Sequence, residues 1–140
     1  MIMKKILILL LMIFLAGTVS AAVDIMDFKS PDGFDAGYGG SMSYKDYSIT
    51  IEPYEKNMDQ DVFESDNFKN VTTNGNFTKF DDEFHEQVGV FEIIQIGKEQ
   101  YLVKCIYDDR NTSQWGNCLK YLKEFNEKNN LTAITPEKLY

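Results

Sequence analysis

His85 is the only histidine among the 140 residues of this chain. Acidic side chains surround it, at residues 81–83 and at Glu86. A catalytic zinc ion usually needs more nitrogen or sulfur ligands than one histidine supplies. A catalytic triad needs a positioned nucleophile, and the chain contains no nucleophile-elbow pattern. The sequence therefore predicts a surface histidine in an acidic loop, and it assigns no catalytic residue, metal ligand or cofactor.

The 22 acidic residues leave two weaker interpretations open. The first is weak calcium binding by Asp81, Asp82, Glu83 and Glu86. Successive side chains of a strand point to opposite faces, however, and do not converge without a turn. The second is a pair of carboxylates for glycoside cleavage. No pair is singled out by its spacing, so neither interpretation defines a site.

Cys105 and Cys118 form the second group of reactive side chains. In an exported chain an even number of cysteines is typical of disulfide bonding, and the predicted elements make these two face each other. A bridge across this loop would add roughly 3 kcal/mol to the free energy of unfolding. The alternative is a pair of buried free thiols that act as small apolar side chains. We expect the disulfide, and no redox-active pair, because nothing resembles a CxxC motif.

Four Asn-x-Ser/Thr triplets are candidate glycan acceptors outside the cytoplasm, and they begin at Asn70, Asn76, Asn111 and Asn130. A glycan is bulky and polar, so an occupied triplet must lie on the surface. We expect at least one of the four to be modified in a host that has the machinery.

Tyrosines around a glycine-rich loop, residues 37–41, are the candidates for a recognition surface. The loop lacks the GxxxxGK spacing of a phosphate-binding loop. Tyr38, Tyr44 and Tyr47 are predicted to form the recognition patch, because ligand sites are often lined by aromatic side chains. Trp115 is assigned to the core, since it lies on the apolar stripe of a predicted helix.

Residues 1–22 have the composition of a secretory signal peptide, with two lysines near the start, an apolar run over residues 6–15 and small residues before the cut. The alternative is an uncleaved N-terminal membrane anchor, although the span barely reaches the ~20 apolar residues that a bilayer requires. We therefore expect cleavage, one domain over residues 23–140, a secreted or cell-surface location and no membrane contact afterwards.

The expected mature chain is strongly acidic. Removing residues 1–22 removes two of the 14 basic residues, so the net charge becomes 12 − 22 = −10. A surface of this sign repels both nucleic-acid backbones and anionic membranes. Nucleic-acid binding is therefore excluded, and the charge is interpreted as a source of solubility.

The fold is organised by residues 88–129, where two apolar strands joined by a tight turn precede an amphipathic helix. A turn at Lys98 and Glu99 pairs Glu92 with Cys105, within one face that is otherwise almost entirely apolar. The helix carries one apolar stripe, formed by Trp115, Cys118, Leu119, Leu122 and Phe125. A stripe at this spacing predicts that the helix folds back onto the strands.

Further strands and turns are expected before this unit. Residues 27–34 are predicted to be a short strand that enters a turn, and residues 46–52 a half-buried strand. Residues 57–69 suit a short helix, and the Asn-Gly pair at 74–75 predicts a hairpin. The order of elements predicts an α+β fold in which an antiparallel sheet is packed by a C-terminal helix.

The signal, the FKSPDGF stretch, the Asn-Gly turn, the IGKEQYLV hairpin and the FNEKNNLT helix end together resemble a class of small exported proteins that are frequent in methanogenic archaea. The order of elements is similar to that of PsbP-like α/β sandwich domains. The resemblance covers most of residues 23–140 and implies the fold and the exported location, with no catalytic residues to carry over. The cysteine pair and the acidic middle of this chain have no counterpart in it.

These observations favour an exported, non-enzymatic binding or interaction domain at or outside the cell surface, with a protein or an envelope component as its partner. One alternative is a small extracellular hydrolase that uses unidentified carboxylates, and another is a structural component of the cell envelope. A cleft with two carboxyl groups ~5–9 Å apart would favour the hydrolase. An exposed aromatic patch would favour the binding domain.

Overall fold

The computed structural model describes residues 23–38, 40–54 and 68–134, without the side chains of residues 36–38. The expected signal peptide, most of the segment predicted as a short helix, and residues 135–140 lie outside the described residues. The elements below therefore belong to the region predicted as one domain.

One antiparallel sheet and one α-helix make up the described part of the chain. The strands are β1 (Asp35–Tyr38), β2 (Ser41–Tyr44), β3 (Tyr47–Pro53), β4 (Phe68–Asn74), β5 (Phe77–Asp82), β6 (Gln87–Ile96), β7 (Glu99–Tyr107) and β8 (Ala133–Ile134), and the helix is α1 (Trp115–Asn129). Seven strands are hydrogen-bonded in the order β1-β2-β3-β7-β6-β5-β4, while β8 pairs with β6 beyond the end of β5. The prediction of an α+β fold with an antiparallel sheet and a C-terminal helix is confirmed.

The β6–β7 hairpin has the predicted strands but not the predicted pairing. Its turn lies at Gly97 and Lys98, and Glu92 pairs with Val103 instead of Cys105. Gly97 has a φ of 62°, a left-handed conformation that glycine adopts without steric cost. The pairing differs from the prediction by two residues. Because side chains alternate along a strand, each one stays on its predicted face.

The helix α1 packs on one face of the sheet and buries its apolar stripe there, with Cys118, Leu122 and Phe125 fully buried. The buried side chains that they meet come from β2, β3, β6, β7 and the N-terminal segment: Ile25, Phe34, Met42, Tyr47, Ile49, Val90, Ile94, Tyr101, Val103 and Cys105. Full burial of one large apolar side chain stabilises a fold by roughly 1.5–3 kcal/mol, so this cluster holds α1 on the sheet.

Local hydrogen bonds define both ends of α1. A short 3-10 turn (Thr112–Gln114) precedes it, and the Asn111 side chain caps that turn by accepting from the backbone N–H of Ser113. Asn130 ends the helix in a left-handed conformation with a φ of 53°. Within the described residues, no helix combines the length and the apolar character needed to cross a bilayer.

The opposite face of the sheet carries a smaller apolar cluster. Its buried members are Phe80, Phe91, Ile93 and Leu102. Half-buried side chains at its margin include Tyr54, Phe68, Val71 and Ile134. The long strand β6 is therefore apolar towards both faces, as expected for a sheet with one fully buried face and one partly covered face.

The segment before β1 is not the predicted strand. Ile25–Asp27 form a 3-10 turn, because the side chains of Asp24 and Asp27 each accept a hydrogen bond from a backbone N–H of the other end of the turn. The Asn129 side chain of α1 then bonds both the N–H and the carbonyl of Lys29, at 2.7 and 2.9 Å. These hydrogen bonds satisfy backbone N–H and carbonyl groups that would otherwise pair with a neighbouring strand.

The expected disulfide between Cys105 and Cys118 is absent, since both residues are free and fully buried between β7 and α1. They do face each other as predicted, and the hydrogen bond between the two thiols, together with burial, raises the pKa of Cys105. The two sulfur atoms lie at hydrogen-bonding distance, which is longer than a sulfur–sulfur bond of ~2.05 Å. The pair acts as two small apolar side chains, which was the alternative interpretation.

Candidate functional site

An apolar groove of about 610 Å³ separates the β4–β5 hairpin from the first half of α1. We call it the Trp115 groove, and its lining residues are Thr72, Thr73, Asn74, Gly75, Asn76, Phe77, Lys79, Val90, Trp115, Gly116, Leu119 and Lys123. Small-molecule sites in proteins are mostly apolar clefts of roughly 300–1,000 Å³ with a few polar groups. The groove has the volume and the lining of such a site.

Turn chemistry builds the hairpin wall of the Trp115 groove. Asn74 and Phe77 form the last pair of the β4–β5 ladder, and Gly75 between them has a φ of 63°. The side-chain nitrogen of Asn76 donates a 3.1 Å hydrogen bond to the carbonyl of Ala133 in β8. The predicted hairpin is confirmed, and its tip is anchored to the rest of the sheet.

Trp115 forms the helix wall where α1 begins. Its indole Nε1–H donates a 2.9 Å hydrogen bond to the backbone carbonyl of Phe80 in β5. The ring is half-buried, because one part packs against the core while another part lines the groove. The hydrogen bond fixes the orientation of the ring and ties the two walls together.

Two lysines flank the aromatic rings of the groove. The nitrogen Nζ of Lys79 lies 4.7 Å from the ring centroid of Trp115, and that of Lys123 lies 5.8 Å from the ring centroid of Phe77. A cation within ~6 Å of a ring face is attracted to its negative electrostatic quadrupole. None of the described lining residues is acidic, although acidic residues outnumber basic ones by 22 to 14 in the chain.

Gly116 leaves a gap in the helix wall. A Cβ atom added there would have no other side chain or strand within 4 Å. Glycine within a helix costs roughly 0.5–1 kcal/mol relative to alanine, so helix stability does not explain this residue. Its effect is to open the groove beside Trp115.

Glu92 and Asn126 form a polar pair between the sheet and α1, outside the lining of the groove. Asn126 Nδ2 donates a 2.6 Å hydrogen bond to Glu92 Oε2, and Glu92 is 0% exposed. Burial raises the pKa of Glu92 to about 8, because a charged carboxylate is poorly solvated in this position. The hydrogen bond from Asn126 opposes this rise.

The acidic residues near His85 do not converge on one site. His85 Nδ1 lies 2.7 Å from Asp82 Oδ2, while both oxygens of Asp81 bond the Arg110 guanidinium, at 2.9 and 3.0 Å. The side chain of His85 is 60% exposed, so it is the surface histidine that was predicted. Across residues 23–38, 40–54 and 68–134, no three metal-ligating side chains come together.

A smaller cleft of about 260 Å³ lies on the face of the sheet that α1 does not cover. Its charged and titratable lining groups are Glu52, Asp82, His85 and Lys104, and its apolar lining includes Phe80, Phe91 and Leu102. The His85–Asp82 pair is therefore at a concave surface and not on an isolated loop.

The three tyrosines predicted as a recognition patch do not form one exposed surface. Tyr47 is 8% exposed, and its hydroxyl is hydrogen-bonded with the side chains of Gln114 and Asn117. Tyr44 is half-buried among other aromatic rings, because it pairs with Tyr47 on the face that α1 covers. The side chain of Tyr38 lies outside the described residues.

The four candidate glycan acceptors differ in exposure. Asn70, Asn111 and Asn130 are exposed, as a modified residue must be. Asn76 is half-buried, and a glycan on its side-chain nitrogen would compete with the hydrogen bond to Ala133. Occupancy of the four stays a prediction.

Sequence patterns alone do not reveal the Trp115 groove. The apolar stripe of the helix predicts that Trp115 is in the core, which describes only one side of the ring, and no pattern singles out Lys79 or Lys123. The available signal was Gly116, a poor helix former directly after a large aromatic residue at a helix start. Gly116 can be interpreted as an opening in a groove wall only when the position of the β4–β5 hairpin opposite it is known.

No family model matches this chain, and neither a curated protein nor a solved structure matches it. One fold can serve many functions, so function is argued from the residues of the site.

Proposed function

We propose that this chain is an exported, non-enzymatic binding domain and that the Trp115 groove holds its ligand. The observation that carries the proposal is a concave, largely apolar surface of about 610 Å³ between two elements that are anchored to the same sheet. Aromatic rings line both walls, and a few polar groups surround them, as in most small-molecule sites. The signal-like composition of residues 1–22 supports export.

The lining chemistry favours binding over catalysis at this site. The described lining offers hydroxyl, amide and ammonium groups, but no histidine, cysteine or carboxylate to act as a general base. The buried groups whose pKa is raised, Glu92 and Cys105, lie elsewhere.

The neutral fluorescent molecule 1-anilinonaphthalene tests the proposal. Trp115 is the only tryptophan of the chain, so energy transfer from tryptophan to the probe reports proximity to the groove. We expect saturable transfer with one probe per chain. Gly116→Phe should abolish it by filling the open part of the wall, whereas Gly116→Ala should retain it. Transfer that persists unchanged in Gly116→Phe would contradict the proposal.

Hydrolysis at the smaller cleft is a second candidate function, and the His85–Asp82 pair is the observation that favours it. A carboxylate that binds one imidazole nitrogen can orient the other nitrogen for proton transfer. Hydrolysis of p-nitrophenyl acetate that is lost in His85→Asn and retained in Lys98→Met would support it. Equal background rates in both variants would reject it.

A further inference from the structure

We infer that the ligand of the Trp115 groove is a small amphipathic anion, with an aromatic or aliphatic body and one carboxylate or comparable acid group. The inference rests on the proposed function and adds the chemical class of the ligand.

Charge complementarity is the first argument. Lys79 and Lys123 are the charged side chains of the groove, and none of its described lining residues carries a negative charge. The chain as a whole has a net charge of −8. A local positive potential on an acidic molecule selects anions for this surface and repels them from most of the remainder.

The placement of the lysines is the second argument. Lys79 belongs to β5 and Lys123 to α1, so the two ammonium groups come from opposite walls. Each lies over an aromatic ring, at 4.7 and 5.8 Å from the centroid. Lysine stems add apolar surface while the nitrogen stays near water. A ligand body that packs on Trp115 and Phe77 therefore brings its acid group to a lysine on either side.

Within the described part of the chain, no carboxylate forms an ion pair with either lysine, which supports the same ligand class. Among the described residues, the ion pairs involve other cations, such as Arg110 with Asp81, and neither Lys79 nor Lys123 takes part in one. Charge-assisted hydrogen bonds between ammonium and carboxylate groups are roughly twice as strong as neutral ones. An incoming acid group gains such a bond without breaking an ion pair among the described residues.

Two probes with the same aromatic body, one neutral and one anionic, distinguish the effect of the charge on binding from that of the apolar contact. 1-Anilinonaphthalene-8-sulfonate differs from 1-anilinonaphthalene by its sulfonate, and both accept energy from Trp115. We expect the sulfonate to bind about tenfold more tightly at low salt, and the difference to shrink with added salt because screening weakens exposed charge pairs.

Charge-removing variants identify the groups responsible. Lys79→Met and Lys123→Met should each weaken sulfonate binding about three- to tenfold and leave the affinity for the neutral probe unchanged. Lys98→Met is the matched control, because this exposed lysine lies in the β6–β7 turn and outside the groove lining. Thermal unfolding of each variant verifies that it is folded.

The outcomes test the ligand class and the binding function separately. Equal affinity for the two probes overturns the inference and leaves the binding function standing. Failure of both probes to bind overturns the binding function. An equal loss of sulfonate affinity in Lys98→Met indicates general charge attraction and overturns the inference. Sulfonate binding that requires removal of residues 135–140 also overturns it, since the end of the chain would then be the occupant.

Discussion

Asn126 donates a single hydrogen bond to Glu92, of 2.6 Å, and each side chain keeps one oxygen that is buried with no hydrogen-bond partner among the described residues. The two unpaired atoms, Glu92 Oε1 and Asn126 Oδ1, are both acceptors. A proton on Glu92 supplies the donor that the pair lacks. The raised pKa of Glu92, about 8, keeps that proton in place at neutral pH.

Stability should therefore fall as pH rises from about 4.5 to about 8. The ordinary pKa of Glu92 is 4.5 and its folded value is about 8, so over this range the folded state binds more protons than the unfolded state. The free energy of unfolding then decreases by about 1.4 kcal/mol per pH unit from this group. The contribution is complete below the unfolded pKa and lost above the folded one. Urea unfolding at a series of pH values measures the slope.

Glu92→Gln should remove that slope and stabilise the fold near pH 8. A glutamine offers an N–H to the carbonyl of Asn126 and an oxygen to its amide, so both hydrogen bonds form without a titrating proton. We expect a gain of about 1–3 kcal/mol near pH 8 and little change near pH 5, from urea unfolding curves. Glu99→Gln, at an exposed position of β7, is the control. A Glu92→Gln variant less stable than the wild type at pH 8 would refute the protonated pair.

Two glycine-to-alanine changes should have opposite signs. A Cβ at Gly89 would lie 2.7 Å from the Phe80 ring and 2.9 Å from the Cys105 carbonyl oxygen, so the packed strand must shift. We expect Gly89→Ala to lower the free energy of unfolding by about 1–3 kcal/mol. Gly116→Ala should raise it by up to about 0.5 kcal/mol, because the added methyl group meets no atom outside the helix and Gly116 is in the first turn of α1, where the preference for alanine is weaker than in a helix interior. Unfolding curves with the same sign for both variants would contradict this packing.

Arg110→Met should destabilise the fold by leaving Asp81 unpaired. The Asp81 side chain is 6% exposed, and both of its oxygens bond the guanidinium. Arg110 is 39% exposed, so in the variant water partly takes the place of the guanidinium, and we expect a small but measurable loss of stability by thermal or urea unfolding. Adding Asp81→Asn should recover part of the loss. Unchanged stability in the single variant would mean that solvent already satisfies Asp81.

Periodicity is sufficient to predict which side chains of the β6–β7 hairpin face α1, even with the turn misplaced. A two-residue error in pairing preserves every face, whereas a one-residue error would have inverted them. The same periodicity marks Glu92 as an interruption of an apolar face. It cannot identify Asn126 as the partner, because that contact depends on where the helix lies along the sheet.

Local sequence patterns also do not determine the distance between two residues that face each other. Cys105 and Cys118 are correctly predicted to face each other, yet facing positions do not establish the sulfur–sulfur distance that a covalent bond requires. The Trp115 groove is hidden for a related reason. Its walls come from two segments, around residues 72–79 and 115–123, and only the packed sheet brings them together.

Backbone and indole N–H signals in nuclear magnetic resonance spectra, followed while 1-anilinonaphthalene-8-sulfonate is added, test the central claim most directly. We predict that the shifts concentrate in residues 72–79 and 115–123, and that the indole N–H of Trp115, which bonds the Phe80 carbonyl, is among them. Shifts that concentrate around Asp82 and His85, with the Trp115 indole signal unmoved, would contradict it.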